Sequence, residues 1–169
     1  VSVPTSLYIL VMRGTPLMLQ IFAIYFAIPT LTGVNLDRMN ATILAFSINY
    51  AAYFAEIYRS GIQSIPRGQY EAAEVLGYTK AQTFMKIVLP QVIKRILPAM
   101  GNEVITLVKD TSLAFVLGIM EMFSAAKALA ASEVSMVPYA IAALIYWVFC
   151  LLIEFILNRV EKRLDYYHD

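Results

Sequence analysis

Histidine and cysteine are almost missing from this sequence. Cys150 stands alone, so the chain can close no internal disulfide and assemble no thiolate metal cluster. His168 is the only histidine and sits in the polar tail, which excludes a His-ligated metal centre and any histidine-dependent triad. Charge is scarce too. Asp, Glu, Lys and Arg make up 15% of the 169 residues, against about 25% in ordinary soluble domains. Thirteen basic against twelve acidic side chains leave a net charge of +1, far from a nucleic-acid-binding surface. No GxxxxGK[ST] string occurs, so the chain has no Walker-type loop, and Gly14-Thr15-Pro16 does not replace one. No basic stretch leads into an apolar segment with a small-residue cleavage site, so no signal peptide is visible.

What is abundant is apolar surface. Hydrophobic residues reach 60% and the mean hydropathy is +0.67. A soluble domain of this length cannot hide so much, so the expected class is an all-α, polytopic membrane helix bundle. A helix needs about 20 residues to cross ~30 Å of hydrocarbon. Uncharged runs between Arg13 and Asp37, Arg38 and Glu56, and Glu133 and Glu154 predict spans over about 14–33, 39–58 and 137–157. The stretch 89–131 is apolar but interrupted by Lys94, Arg95, Glu103, Lys109, Asp110 and Glu121 and by two prolines. It predicts a crossing helix over 91–108 and a short or re-entrant helix over 113–130. Such interrupted segments suit a substrate pathway, with a tilted helix and snorkelling ends as the competing reading. Lys and Arg concentrate between Arg59 and Arg95 and in the tail, which puts both on the cytoplasmic side.

The segment 64–90 carries the most specific signals. Pro66 suits the start of a helix, and Gly77 suits its end. Thr79 followed by Gln82 is a capping-box pattern that opens a second helix running toward Pro90. The product is a helix–Gly–helix elbow displaying Tyr70, Glu71, Ala72 and Ala73. Two small residues beside a carboxylate let a helix seat in a groove of another protein. A surface helix on lipid headgroups is the plainer alternative.

Candidate pathway residues are the polar groups falling within spans, Asn49 with Tyr53 one turn on and Asn102 and Glu103 with Thr106 one turn on, together with Glu121 in the re-entrant candidate. The competing reading for Asn49 and Asn102 is hydrogen bonding to neighbouring helices. Ala41, Ala45, Asn49 and Ala52 form a small-residue strip suited to close packing. Glu56 and Arg59 are spaced to pair. Trp147, Tyr166 and Tyr167 read as packing or interface aromatics.

Glu71-Ala72-Ala73, three residues, Gly77, nine residues, Ile87, one residue and Leu89-Pro90 resemble the EAA loop of bacterial ABC importer permeases. Arg13-Gly14-Thr15-Pro16-Leu17 with Gln20, the run Ala52–Arg59 and Lys109-Asp110-Thr111-Ser112-Leu113 resemble the polar amino-acid branch, the histidine/glutamine/arginine type. The resemblance spans essentially the whole chain. It implies the MetI-like permease fold as a single transmembrane domain over 1–169, in a bacterial cytoplasmic (inner) membrane. A further membrane helix is expected before Val1. The implied partners are two ABC ATPase subunits, an extracytoplasmic solute-binding protein, a second permease copy or paralogue, membrane lipid and an amino-acid substrate, with no nucleic acid. The chain itself is implied to be non-catalytic and to hold no cofactor, ATP being bound by the partner ATPases. Tyr70, Glu71, Ala72, Ala73 and Gly77 are then the coupling contacts. A secondary transporter or channel not driven by ATP is the alternative class.

Overall fold

The computed structural model describes residues 3–164. Tyr166, Tyr167 and His168 lie outside the described residues. The described residues form α-helices joined by short π and 3-10 segments, with no strand among them. The α-helices are α1 (Val3–Gly14), α2 (Leu17–Phe22), α3 (Ile28–Thr32), α4 (Arg38–Gln63), α5 (Arg67–Val75), α6 (Lys80–Thr83), α7 (Leu89–Asp110), α8 (Met122–Glu133) and α9 (Val137–Leu164).

The region of the first expected span differs from one straight helix. Residues Leu17–Thr32 run on through a π turn at Ala23–Ala27, and α1 meets this rod at a bend of 111°. The bend falls at Gly14–Pro16, and Pro16 is extended at φ −64°, ψ 132°.

A second π turn, Phe84–Val88, joins α6 to α7. Both π turns end two residues before a proline, Pro29 and Pro90. A proline returns no N–H bond, and its ring crowds the carbonyl four residues back. That carbonyl belongs to Tyr25 or Lys86, in the middle of each π turn. Widening the turn moves it aside and the helix continues. The expected crossing helix 91–108 is therefore part of a much longer rod, Lys80–Leu117.

The expected single helix over 113–130 is corrected. Thr111–Leu117 is a 3-10 segment, and α8 starts only at Met122, bent 59° from the rod. Glu121 breaks the run, because its carboxylate takes the free amides at the start of α8.

Among the described residues, α9 alone combines the length and apolarity of a membrane crossing, and two bent pairs pass only together, each as a broken span or a re-entrant loop. The bent pairs are α1 with Leu17–Thr32 and Lys80–Leu117 with α8. α4 has 26 residues but carries Asn40, Asn49, Glu56 and Arg59, which lower its hydropathy.

Two cores hold the bundle. Ile21, Ala41, Ala45 and Leu117 form one, flanked by Leu17, Phe46 and Leu113. Ile65, Val88, Val92 and Ile96 form the other, flanked by Ile57 and Met100. The small strip Ala41, Ala45, Asn49 and Ala52 is buried throughout, as its spacing leads one to expect. At the Gln63 end, Gly61 lies so close to α7 that an added methyl would overlap Ile96 Cγ2. Most of α9 is exposed, which suits a helix facing lipid or another subunit.

Candidate coupling elbow and polar pathway

Gly77 ends α5 in the left-handed region, at φ +78°. The Tyr78 amide donates to the Ala73 carbonyl at 3.0 Å, and the Gly77 amide donates to the Glu74 carbonyl at 2.9 Å. These two bonds are a Schellman cap, which holds a helix end in one geometry. On the other side of the turn, the Thr79 hydroxyl accepts from the Gln82 amide while the Gln82 side chain takes the Thr79 amide. The expected capping box is thus present, and both ends of the elbow are fixed by hydrogen bonds. Lys86 stacks 5.9 Å from the Tyr78 ring.

Tyr70, Glu71 and Ala72 lie on the exposed face of α5. Ala73 does not. It is 1% exposed, so the expected pair of displayed alanines is corrected to Ala72 alone. Ala73 is turned inward, where its carbonyl also anchors the cap. The exposed surface is extended instead by Val75 and Leu76, 88% and 73% exposed. Two such exposed aliphatics, two and three residues before Tyr78, make an apolar patch of the kind that marks an interaction surface.

The candidate pathway residues are not brought together in one pocket. Asn49 is buried, and its Nδ2 donates to the Met12 carbonyl at 3.1 Å and to Gln20 Oε1 at 2.9 Å. Gln20 Nε2 donates in turn to the Met12 carbonyl at 2.9 Å and to Thr15 Oγ1 at 2.7 Å. These bonds clasp the bend between α1 and α2 against α4. Asn49 thus makes the helix-to-helix contacts of its competing reading. Tyr53 lies one turn on, with the Arg13 guanidinium 5.3 Å from its ring centre.

Asn102 faces another way, into a cleft of about 110 Å³ between α7 and α9 that includes Glu154, Asn158 and Glu161. The Thr106 hydroxyl donates back to the Asn102 carbonyl at 2.9 Å. Glu121 accepts from the Phe123 amide at 2.7 Å and the Ser124 amide at 2.6 Å, and Tyr146 donates to it at 3.5 Å. Its charge is committed to a helix cap. Glu103 is half-buried on α7.

One pairing was absent from the candidate set. Tyr50 is 5% exposed and donates to Asp110 Oδ2 at 2.8 Å, tying the middle of α4 to the end of α7. Asp110 lies seven residues after Glu103, on the same side of the helix. The available signal was an aspartate beside a span.

Replacing Asn49 with leucine leaves the Gln20 oxygen without its donor. The expected cost is about 1–3 kcal/mol, read as a lower melting temperature of the solubilised protein. The surviving fraction keeps its substrate affinity. Weaker affinity at an unchanged melting temperature would put Asn49 in the pathway instead.

The family of binding-protein-dependent transport system inner membrane components matches residues 2–166. The chain belongs to that family. The permease is 42% identical to the arginine transport system permease protein of Bacillus subtilis, over 93% of this chain and 72% of that one. It is 39% identical to the L-cystine transport system permease protein of the same organism, over 96% and 70%. Among solved structures, an amino acid ABC transporter crystallised with histidines matches with a TM-score of 0.85 and 40% identity, covering 94% of the permease and 74% of that chain. The inward-facing methionine ABC transporter matches in fold, with a TM-score of 0.79 at 18% identity, over 94% and 73%. The permease therefore has the all-α, MetI-like fold.

Proposed function

We propose that the permease is the translocating subunit of an ATP-driven importer of polar amino acids in a bacterial cytoplasmic membrane. The substrates named for its relatives support that class. So does the earlier resemblance of its Arg13–Gln20, Ala52–Arg59 and Lys109–Leu113 segments. The proposed assembly has two permease subunits, two ATPases and an extracytoplasmic binding protein.

The observation that carries the mechanism is the continuity of the rod from Lys80 to Leu117 behind a doubly capped elbow. From Lys80 to Asp110 this rod is about 45 Å long at the usual helical rise, enough to reach from a cytosolic contact across the bilayer. An ATPase gripping Tyr70, Glu71, Ala72 and Leu76 would move α7 as one body. Closing of the ATPases would then swing the paired rods and turn the gate outward, and hydrolysis would reset it. Gly77 fixes the angle at which the push arrives. Ala73 supports the elbow from inside.

In this reading Glu103, Tyr50 and Asp110 line the path along the α4–α7 seam, where an ammonium needs an acceptor. Asn102, with Thr106 one turn on, faces the α7–α9 cleft away from that line, Tyr53 lies toward the α1 side, and Glu121 shapes the start of α8.

The test is uptake by the complex in liposomes, with labelled arginine, glutamine and cystine offered in turn. The expected result is accumulation of one or more that requires both ATP and the binding protein. Accumulation driven by an ion gradient without ATP would contradict this reading and favour a secondary transporter.

A further inference from the structure

A cleft of about 750 Å³ opens between α1 and α4, lined by Leu10, Arg13, Tyr53, Glu56, Arg59 and Gln63, among others. Of the coupling and pathway candidates only Tyr53 lines it, and that residue does not account for its charges. Its charges do not cancel. Arg59 forms a two-pronged pair with Glu56, at 2.9 Å through Nε and by a second contact through Nη2. Arg13 reaches the same carboxylate only at 3.9 Å. Two guanidiniums thus share one carboxylate, and one positive charge is left over. Arg59 Nη1 also donates to Gln63 at 3.0 Å, which fixes it at the cleft mouth.

The depth of the cleft is informative. Along α4, Glu56 lies about 27 Å and Gln63 about 38 Å from Arg38 at the usual helical rise. With ~30 Å of hydrocarbon, the cationic groups fall at the headgroup level of the leaflet on the elbow side. The α1 wall continues the cleft with Ile9 and Leu10, and Leu10 is 70% exposed. A basic mouth and an apolar wall between helices match the two parts of a phospholipid. Basic pockets between membrane helices on the cytoplasmic side hold anionic headgroups in this way.

We propose that this cleft binds the phosphate headgroup of an anionic phospholipid of the inner leaflet, with Arg13 and Arg59 as its ligands and the Ile9–Leu10 wall along its acyl chain. The proposal rests on the orientation given above, with the Gln63 end toward the cytosol. Lipid binding can nevertheless be read without any transport.

The test uses the intact permease complex, equilibrated with vesicles of equal parts phosphatidylglycerol and phosphatidylcholine, and counts retained lipid by native mass spectrometry. The permease is expected to keep phosphatidylglycerol in preference to phosphatidylcholine. Arg13→Gln is expected to lower that retention about tenfold, the worth of one charge-assisted hydrogen bond. Arg13→Lys keeps most of it, and Lys162→Gln, on α9, leaves it unchanged. If Arg13→Gln does not fold, Leu10→Glu puts a carboxylate in the apolar wall one turn from Arg13 and is expected to give the same loss. Equal phosphatidylglycerol retention in the altered and unaltered proteins would overturn the proposal. So would inorganic phosphate alone raising the melting temperature as much as phosphatidylglycerol does, because the ligand would then be a free anion.

Discussion

Gly77→Val leaves the protein in the membrane but cuts ATP-driven uptake roughly 5–30-fold, the population factor that corresponds to 1–2 kcal/mol. The residue sits at φ +78°. An L-residue in that region costs about 1–2 kcal/mol, and a β-branched one is the worst tolerated. The chain avoids the cost by abandoning the Schellman cap, which frees the Tyr78 and Gly77 amides from Ala73 and Glu74. The elbow then no longer holds α5 at one angle to the rod. Asparagine tolerates the left-handed region, so the expected order of uptake is Gly77, then asparagine, alanine and valine. Glu71→Lys removes the exposed carboxylate without touching the cap, so it should reduce uptake while leaving the melting temperature alone. Uptake that is equal across the Gly77 series would show that the elbow angle is irrelevant to transport.

The second large effect concerns the seam that carries the elbow's support. Gly61→Val drives its side chain into Ile96 and Val92 on α7. Overpacking of this kind costs about 1–3 kcal/mol, and more where the neighbour cannot move. Ile96 is 7% exposed and Val92 3%, both in the core beneath the elbow, so there is little room for relief. The expected result is a sharp fall in monodisperse yield and in melting temperature. Ile96→Ala alone is also destabilising, at about 2–5 kcal/mol. Combined with Gly61→Val it should recover part of the loss, because the two changes occupy the same space. Strict additivity of the two losses would mean that α4 and α7 do not meet at this point.

The sequence was most readable where a backbone group needs a particular residue nearby. Thr79 with Gln82, Gly77 at a helix end, and Glu56 with Arg59 are local signals, and each is realised in the structure. The small strip on α4 was legible for the same reason, since four positions on one face must meet one neighbour. The family and its MetI-like fold were legible in the EAA-type spacing.

Longer-range features were not. Pro90 reads as a stop, and nothing local announces that a π turn will carry the helix through it. Glu121 reads as a costly charge in a re-entrant helix, whereas its oxygens are used by amides two and three residues on. Asn49 could have faced either a substrate or a neighbour. Its partners are the Met12 carbonyl and Gln20 Oε1, 37 and 29 residues away, which composition and spacing do not reveal. Ala73 differs from Ala72 only in which way it turns, and that depends on which side of α5 packs against the rest of the chain.

The most direct test of the account is the accessibility of Leu76, the exposed aliphatic at the tip of the elbow. A Leu76→Cys chain with Cys150 changed to serine carries one thiol. A membrane-impermeant maleimide should label it only from the cytosolic side, and bound ATPase should shield it. Labelling from the outside, or labelling unaffected by saturating ATPase, would contradict the central claim that this elbow is where the motor holds the gate.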